Sequence, residues 1–294
     1  MGTETLVFGA AKPTGKRRGW IGVAVAAVLG STTAGAAVAD PAPAPGGSPE
    51  IETSPNGTVY FDYANVGIGG GPSINDVGGG GAAVLPIGAS FAAQGQASYH
   101  YLTASGGAGS GSIDNWDVGG NAYWHGSFGR LGAGVDYIGI GAHGGATTDA
   151  GTVSLVSYGA FVDWYPASRL TLAAKGGGIT GSGPGFSSTL PYVGGQAIGY
   201  LRPNLALSGT IDWAGNSSGS FTVAGVQAEW LISEKTPLSV FGAYDYVGGA
   251  GTRLNVLRVG VKYYIGGAGS LVRRQRGGVD DWSGLDTVLR YLIG

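Results

Sequence analysis

The chain has 294 residues, of which 61 are Gly and only 12% are charged, and its formal net charge is −2. Disordered chains are usually rich in charge and poor in aromatic residues, whereas aromatics here reach 10%. The composition therefore favours a folded protein. The near-neutral charge gives no argument for nucleic-acid binding. The absence of Cys excludes disulfides, zinc–thiolate sites and Cys nucleophiles.

The N-terminal segment has the features of a secretory signal peptide. An apolar run at residues 20–30 precedes an A-x-A cleavage pattern at residues 37–39. The run is too short for a bilayer-spanning helix, which needs about 20 residues. We predict that residues 1–39 are a cleaved signal peptide, with an uncleaved anchor as the alternative, and that residues 40–56 are a Pro-rich periplasmic linker. The basic residues before the apolar run are Lys12, Lys16, Arg17 and Arg18.

Residues 57–265 alternate between apolar and polar side chains, with the two-residue period of β-strands. Near the end of this region, Leu257, Val259 and Val261 share one face, and Arg258 and Lys262 share the other. Short and longer Gly-rich connectors alternate along the chain, which predicts twelve antiparallel strands with both ends on the short-turn side. The short connectors are 86–90, 126–130, 165–169, 201–204 and 233–237, and the longer ones are roughly 69–81, 104–113, 142–151, 178–188, 214–219 and 247–252.

Short turns at one end, longer loops at the other and an even strand count are typical of outer-membrane barrels. The predicted fold class is all-β, a closed antiparallel transmembrane β-barrel of twelve strands with short periplasmic turns and longer external loops. A soluble β-sandwich is the alternative, but its exposed faces would usually carry many Lys and Glu, which are scarce here. The segment 152–165 has apolar residues on both faces. Either a bulge near residues 157–159 shifts its register, or this wall faces something buried.

Strand parity also predicts which side chains line the lumen. The inward set contains six acids, three bases, amides and one His, and rings of acidic residues favour cations. The predicted lumen residues are Asp62, Gln94, Gln96, His100, Asp117, Asn121, Asp136, Lys175, Asp212, Gln227, Glu229, Asp245, Arg258 and Lys262. Aromatic rings beside the tight turns predict a periplasmic belt. The predicted belt residues are Phe61, Trp124, Trp164, Trp230 and Tyr263.

The chain resembles the porin-like outer-membrane β-barrel proteins of Gram-negative bacteria. The signal peptide, the twelve-strand pattern and the terminal strand "VLRVGVKYYIGG" with its following "GSLVRRQRGGVDD" carry this resemblance. It implies a bacterial outer-membrane location, contact with outer-membrane lipids and insertion by the barrel-assembly machinery. Barrels of this kind usually end at their final aromatic residue. Here the chain continues past Tyr264, so the assembly signal would be internal.

The favoured function is a porin-like channel for passive diffusion of small polar solutes or ions, weakly cation-selective. A closed structural or adhesion barrel is one alternative, and a barrel-embedded lipid hydrolase is another. Hydrolysis would need a Ser activated by a base, and the three histidines His100, His125 and His143 show no spacing that predicts such a pair. We therefore predict no enzyme, no catalytic or metal-binding residues, no cofactor and no nucleic-acid partner.

Residues 266–294 are predicted to be a periplasmic tail. Its basic stretch, residues 270–276, is favoured as a solvated segment, with contact to peptidoglycan, anionic lipid or a periplasmic partner as the alternative. Farther on, Leu285, Val288, Leu289 and Leu292 follow an i, i+3, i+4, i+7 spacing. Residues 280–294 therefore predict a short amphipathic helix that caps the periplasmic mouth or lies against the membrane.

Overall fold

The structure is a computed structural model. It describes residues 54–68, 73–105, 111–143, 152–183, 186–217, 219–249, 252–266 and 269–277. The predicted signal peptide, most of the predicted linker and the helix predicted at 280–294 lie outside the described residues. Within the described ranges, no helix is long and apolar enough to cross a membrane.

Twelve antiparallel strands form one closed barrel, in which each strand pairs with its chain neighbours and the first pairs with the last. The predicted fold class is confirmed. Closure pairs every strand edge, which is what a sheet needs in lipid. The elements are β1 Asn56–Ile68, β2 Ser73–Ile87, β3 Phe91–Ser105, β4 Gly111–Gly126, β5 Gly129–His143, β6 Thr152–Ala167, β7 Leu170–Gly183, β8 Phe186–Arg202, β9 Leu205–Asn216, β10 Gly219–Ser233, β11 Thr236–Gly249, β12 Thr252–Ile265 and a helix, α1, Leu271–Gly277.

The two ends of the barrel differ. The start of β1 pairs with the end of β12, so both lie at the end that carries the tight turns, and we call this the turn end. The opposite end is the loop end. Two of the expected longer loops are largely strand, because β2 begins at Ser73 and β7 continues to Gly183. Gly-rich sequences of this kind usually indicate loops in a soluble sheet. In the closed barrel these segments form hydrogen bonds to the neighbouring strands and remain part of the sheet.

The strand β6 resolves an ambiguity of the sequence. Its register with β5 and β7 runs without a shift through Ser157 and Gly159, so the first of the two alternatives, a bulge there, is wrong. The register shifts instead between Trp164 and Ala167, beside the turn. The inward residue Leu155 is buried in an apolar cluster. The second alternative is therefore right: this wall faces a buried apolar cluster formed by side chains of other strands.

The outer surface carries two aromatic girdles around an apolar band, the arrangement typical of outer-membrane barrels. The five predicted belt residues, Phe61, Trp124, Trp164, Trp230 and Tyr263, all point outward. Trp124, Trp164, Trp230 and Tyr263 lie near the turn end, whereas Phe61 lies in the middle of β1, paired with Val261 and Gly79. A second girdle, not predicted from the sequence, lies toward the loop end and includes Tyr63, Tyr99, Trp116, Tyr137, Trp213 and Tyr244. Several of its hydroxyls bond to polar groups on neighbouring strands, such as Tyr63 to Asn75 at 2.7 Å and Tyr137 to Ser154 at 2.8 Å.

Candidate functional site: the barrel lumen

All fourteen predicted lumen residues lie on the inward face of their strands and are buried or half-buried. They do not line one open tube. Ion pairs and hydrogen bonds join many of them into local networks at mid-height and toward the turn end, while apolar side chains fill the loop end. The lumen therefore has three zones: a polar centre, an apolar layer at the loop end and the helix α1 at the turn end.

Glu229 is the centre of the largest polar network. The residue is 1% exposed, and one of its carboxylate oxygens accepts hydrogen bonds from the Ser239 hydroxyl at 2.7 Å and the Tyr264 hydroxyl at 2.5 Å. The other oxygen pairs with the Lys262 ammonium at 3.1 Å and accepts a bond from the Gln275 amide of α1 at 3.2 Å. Such saturation is what allows a buried carboxylate to stay ionised.

Further ion pairs cross the same interior. Arg258 lies 3.4 Å from Asp245 and 4.0 Å from Asp62, and therefore bridges two carboxylates on different strands. The Lys175 ammonium pairs with Asp212 at 3.2 Å. These side chains come from non-adjacent positions in the chain, and strand parity directs all of them inward.

A second acidic group lies on β4 and β5. Asp136 accepts a bond from the Gln96 amide at 2.5 Å, and Asp117 accepts one from the Ser98 hydroxyl. The two carboxylates are diagonal neighbours on adjacent strands, because Asp136 pairs with Gly119 and Asp117 pairs with Ile138. A polar cavity of about 90 Å³ lies between this group and the Glu229 network and is lined by residues of both, including Asp117, Gln227 and Gln275. That volume admits a few water molecules.

Inward glycines make room for the large polar and aromatic side chains of the adjacent, hydrogen-bonded strand. Gly78 lies opposite His100, Gly119 opposite Asp136, and Gly225 opposite Asp245. At each of these positions a Cβ atom would overlap the partner's side chain. Part of the high glycine content therefore reflects close approach inside the lumen.

This packing makes a direct prediction about two glycines. Gly78→Ala should lower the free energy of unfolding by about 1–3 kcal/mol, because the added methyl would overlap the His100 ring. Gly95→Ala is the control, since its Cβ would have no atom within 4 Å, and its effect should stay within about 0.5 kcal/mol. Urea unfolding of the barrel in lipid vesicles, followed by its heat-dependent gel shift, measures both. Equal effects would contradict the packing argument.

An apolar layer closes the loop end of the lumen. All twelve strands contribute inward side chains to two buried clusters, and Ile113 and Phe221 pack against both of them. The clusters therefore form one continuous barrier. The layer consists of Ala64, Val66, Ile74, Leu102, Ile113, Ile138, Ile140, Val153, Leu155, Ile179, Tyr192, Ala214, Phe221, Val223, Val247, Leu254 and Val256.

The helix α1 occupies the turn end. After β12, Gly266 at φ 70° and Gly269 at φ 118° turn the chain back into the barrel, a conformation that favours glycine. Ser270 caps the helix through its hydroxyl, which accepts a bond from the Arg273 amide at 3.4 Å. Leu271 is fully buried against inward residues of β8, β9, β10 and β12. The basic stretch favoured as a solvated segment is thus seated in the barrel mouth.

Several inward residues escaped the sequence prediction. Asp76, which lies 3.1 Å from His100, falls in a segment assigned to a loop. Arg130 falls in a predicted turn and pairs with Asp163 at 2.6 Å. Asp163 lies on the same face of β6 as Leu155, so the alternation of side chains along this strand could have identified it as an inward residue. Among the described residues, no group of three or more His, Asp or Glu side chains is placed to hold a metal ion.

Comparison with known proteins finds no matching family model and no matching curated protein. Among solved structures, an outer-membrane channel from Pseudomonas putida F1 is similar with a TM-score of 0.53 and 13% identity, covering 72% of this chain and 94% of that one. The translocator domain of the autotransporter NalP from Neisseria meningitidis is similar with a TM-score of 0.50 and 17% identity, covering 71% and 87%. These are likenesses of fold. The chain has the fold of the outer-membrane β-barrel proteins.

Proposed function

We propose that this protein is an outer-membrane channel with an occluded resting lumen, which passes small polar solutes or ions and prefers cations. The observation that carries the proposal is the ionisable network within the spanning strands, centred on Glu229, Arg258 and the Asp117–Asp136 group. Ionisable residues inside a membrane are costly and usually mark a pathway for ions or polar solutes. A barrel with only a structural role could fill this space with apolar side chains.

The preference for cations follows from the balance of inward charges. Among the described residues, the inward acids are Asp62, Asp76, Asp117, Asp136, Asp163, Asp212, Glu229 and Asp245, and the inward bases of the strands are His100, His125, Arg130, Lys175, Arg258 and Lys262. Ion pairs match several of the acids with bases, whereas the Gln96 amide and the Ser98 hydroxyl, which donate to Asp136 and Asp117, are uncharged. Acidic groups inside a pore favour cations.

A closed structural barrel is the second candidate, and the apolar layer and the seated α1 favour it. A lipid hydrolase has less support. His100 is fully buried inside the barrel beside Asp76. A base at that position cannot activate a Ser against a lipid ester at the outer, lipid-facing surface. His143 is exposed at the loop end, where it bonds to Asp114, and His125 packs near the Tyr123 ring. We propose that the protein is not an enzyme.

The proposal places the barrel in the bacterial outer membrane, where lipids contact its apolar band and the barrel-assembly machinery inserts it. The turn end then faces the periplasm, as in barrels with short periplasmic turns. The signal peptide proposed at residues 1–39 would deliver the chain to that compartment.

Single-channel recording in planar bilayers tests the channel. Folded protein should give discrete current steps, with a reversal potential displaced toward the cation's equilibrium potential in a salt gradient. The double variant Asp117→Asn/Asp136→Asn should shift the reversal potential toward zero. Asp114→Asn is the matched control, since this residue lies on the outer face of β4 and bonds to Tyr99 and His143. Silence from folded protein, with the tail present and with it removed, would overturn the channel and favour the structural barrel.

A further inference from the structure

We infer that α1 is a plug, a displaceable segment that closes the turn end of the lumen by seating its last turn in a two-tyrosine pocket. The inference rests on the proposed channel in one respect only, namely that opening the plug should admit current. The contacts of three α1 residues support it: Leu271, Gln275 and Arg276.

Arg276 makes the most specific contacts of the helix. Its guanidinium lies over the Tyr165 ring at 4.5 Å and near the Tyr200 ring at 5.6 Å. The same group donates to the carbonyls of Ala167 and Leu170 at 2.8 Å each, and to the Thr171 hydroxyl at 3.2 Å. This seat combines cation–π contacts with a fork of hydrogen bonds, which suits Arg and not Lys.

The opposite side of the helix contacts β8, β9, β10 and β12. The Leu271 amide donates to the Pro203 carbonyl at 2.7 Å, and the Leu271 side chain is fully buried. Arg274 lies over the Tyr264 ring at 5.6 Å and donates to the Glu234 carbonyl at 3.2 Å. Burial lowers the pKa of Arg274 from its ordinary value. The helix therefore contacts the β6–β7, β8–β9 and β10–β11 turns at once.

The helix also forms a wall of the polar cavity. Gln275 lines that cavity together with Gln227 and Glu229, and its amide bonds to Glu229 at 3.2 Å. The cavity behind α1 is polar, and beyond the apolar contacts of Leu271 and Val272, α1 is attached through polar and cation–π contacts. Such a seat is reversible, because water and other donors can replace its bonds when the helix leaves. These features distinguish a plug from a permanent part of the core.

Thiol accessibility tests the plug independently of conduction. The natural chain has no Cys, so a water-soluble cationic methanethiosulfonate reports only on an introduced thiol. Gln227→Cys places that thiol in the cavity behind α1. Ending the chain after Gly269 should raise the modification rate of the Gln227→Cys thiol at least tenfold. Ser220→Cys, exposed at the loop end, is the control position and should react at the same rate in both chains. An unchanged rate at Gln227→Cys would overturn the plug.

Point variants keep the test valid if the truncated chain assembles poorly. In the full chain carrying Gln227→Cys, Arg276→Ala should raise the rate several-fold, and Arg276→Lys should rescue it only in part. Arg273→Ala removes the same charge from the same helix without touching the Tyr165 and Tyr200 contacts, and should have a smaller effect. Equal effects of Arg273→Ala and Arg276→Ala would overturn the two-tyrosine seat. If the thiol becomes accessible without any current, the plug stands and the channel fails.

Discussion

Lys262→Met is expected to lower the free energy of unfolding by about 3 kcal/mol or more, because it leaves a buried carboxylate without its cation. Glu229 is 1% exposed and pairs with Lys262 at 3.1 Å. Its other partners, Ser239, Tyr264 and Gln275, donate hydrogen bonds but carry no positive charge. The Met side chain matches the length of the Lys stem, so the loss of charge dominates the result. Urea unfolding in lipid vesicles measures the effect.

A double-mutant cycle separates this charge effect from lost packing. Glu229→Gln/Lys262→Met removes both charges and should recover most of the stability lost in Lys262→Met, since no uncompensated ion remains. Glu229→Gln alone should be milder than Lys262→Met, because Lys262 lines the polar cavity and can be solvated there. A double variant as unstable as Lys262→Met would show that the contact of the Lys262 ammonium with the Phe241 ring, at 5.6 Å, matters more than the ion pair.

The side of each strand that faces the lumen was predictable from the sequence, because side chains alternate strictly along a strand. The inward positions of Asp212, Glu229 and Arg258 follow from that period alone. Which inward residues meet was not predictable, because contact depends on strand register as well as on parity. Lys175 of β7 and Asp212 of β9 both pair with Gly194 of the strand between them, and the missing side chain of Gly194 lets the two meet.

The position of each inward residue along the barrel axis was also not predictable from the sequence. The inward face of β6 carries apolar residues, and for that reason a register shift was one explanation of its sequence. The alternation of side chains shows which residues point inward, but not whether they lie in the polar zone or in the apolar layer. Asp76 was missed for a related reason: the glycines after it indicate a loop, yet Gly78 lies in a strand and gives room to His100. The seat of α1 depends on contacts between residues more than 100 positions apart, such as Arg276 and Thr171. No local pattern reports such a contact.

Opening the apolar layer is expected to increase the current through the barrel several-fold. Val223 and Val256 belong to this layer and are both 0% exposed. The double variant Val223→Ser/Val256→Ser places two hydroxyls in the layer, which lets water enter a constriction that otherwise excludes it. Hydrophobic constrictions gate by dewetting, so a small gain in polarity has a large effect on ion passage. Single-channel recording should show more frequent or larger steps than the natural chain gives.

The matched control uses the same two strands and the same chemical change. Val226 and Val259 point outward and are 52% and 51% exposed, so Val226→Ser/Val259→Ser alters the lipid-facing band and leaves the lumen intact. Its current should match that of the natural chain. Equal currents from the inward and outward pairs would show that the layer is not a barrier. Because the layer and α1 block the lumen in series, Val223→Ser/Val256→Ser in a chain ended after Gly269 should conduct more than either change alone.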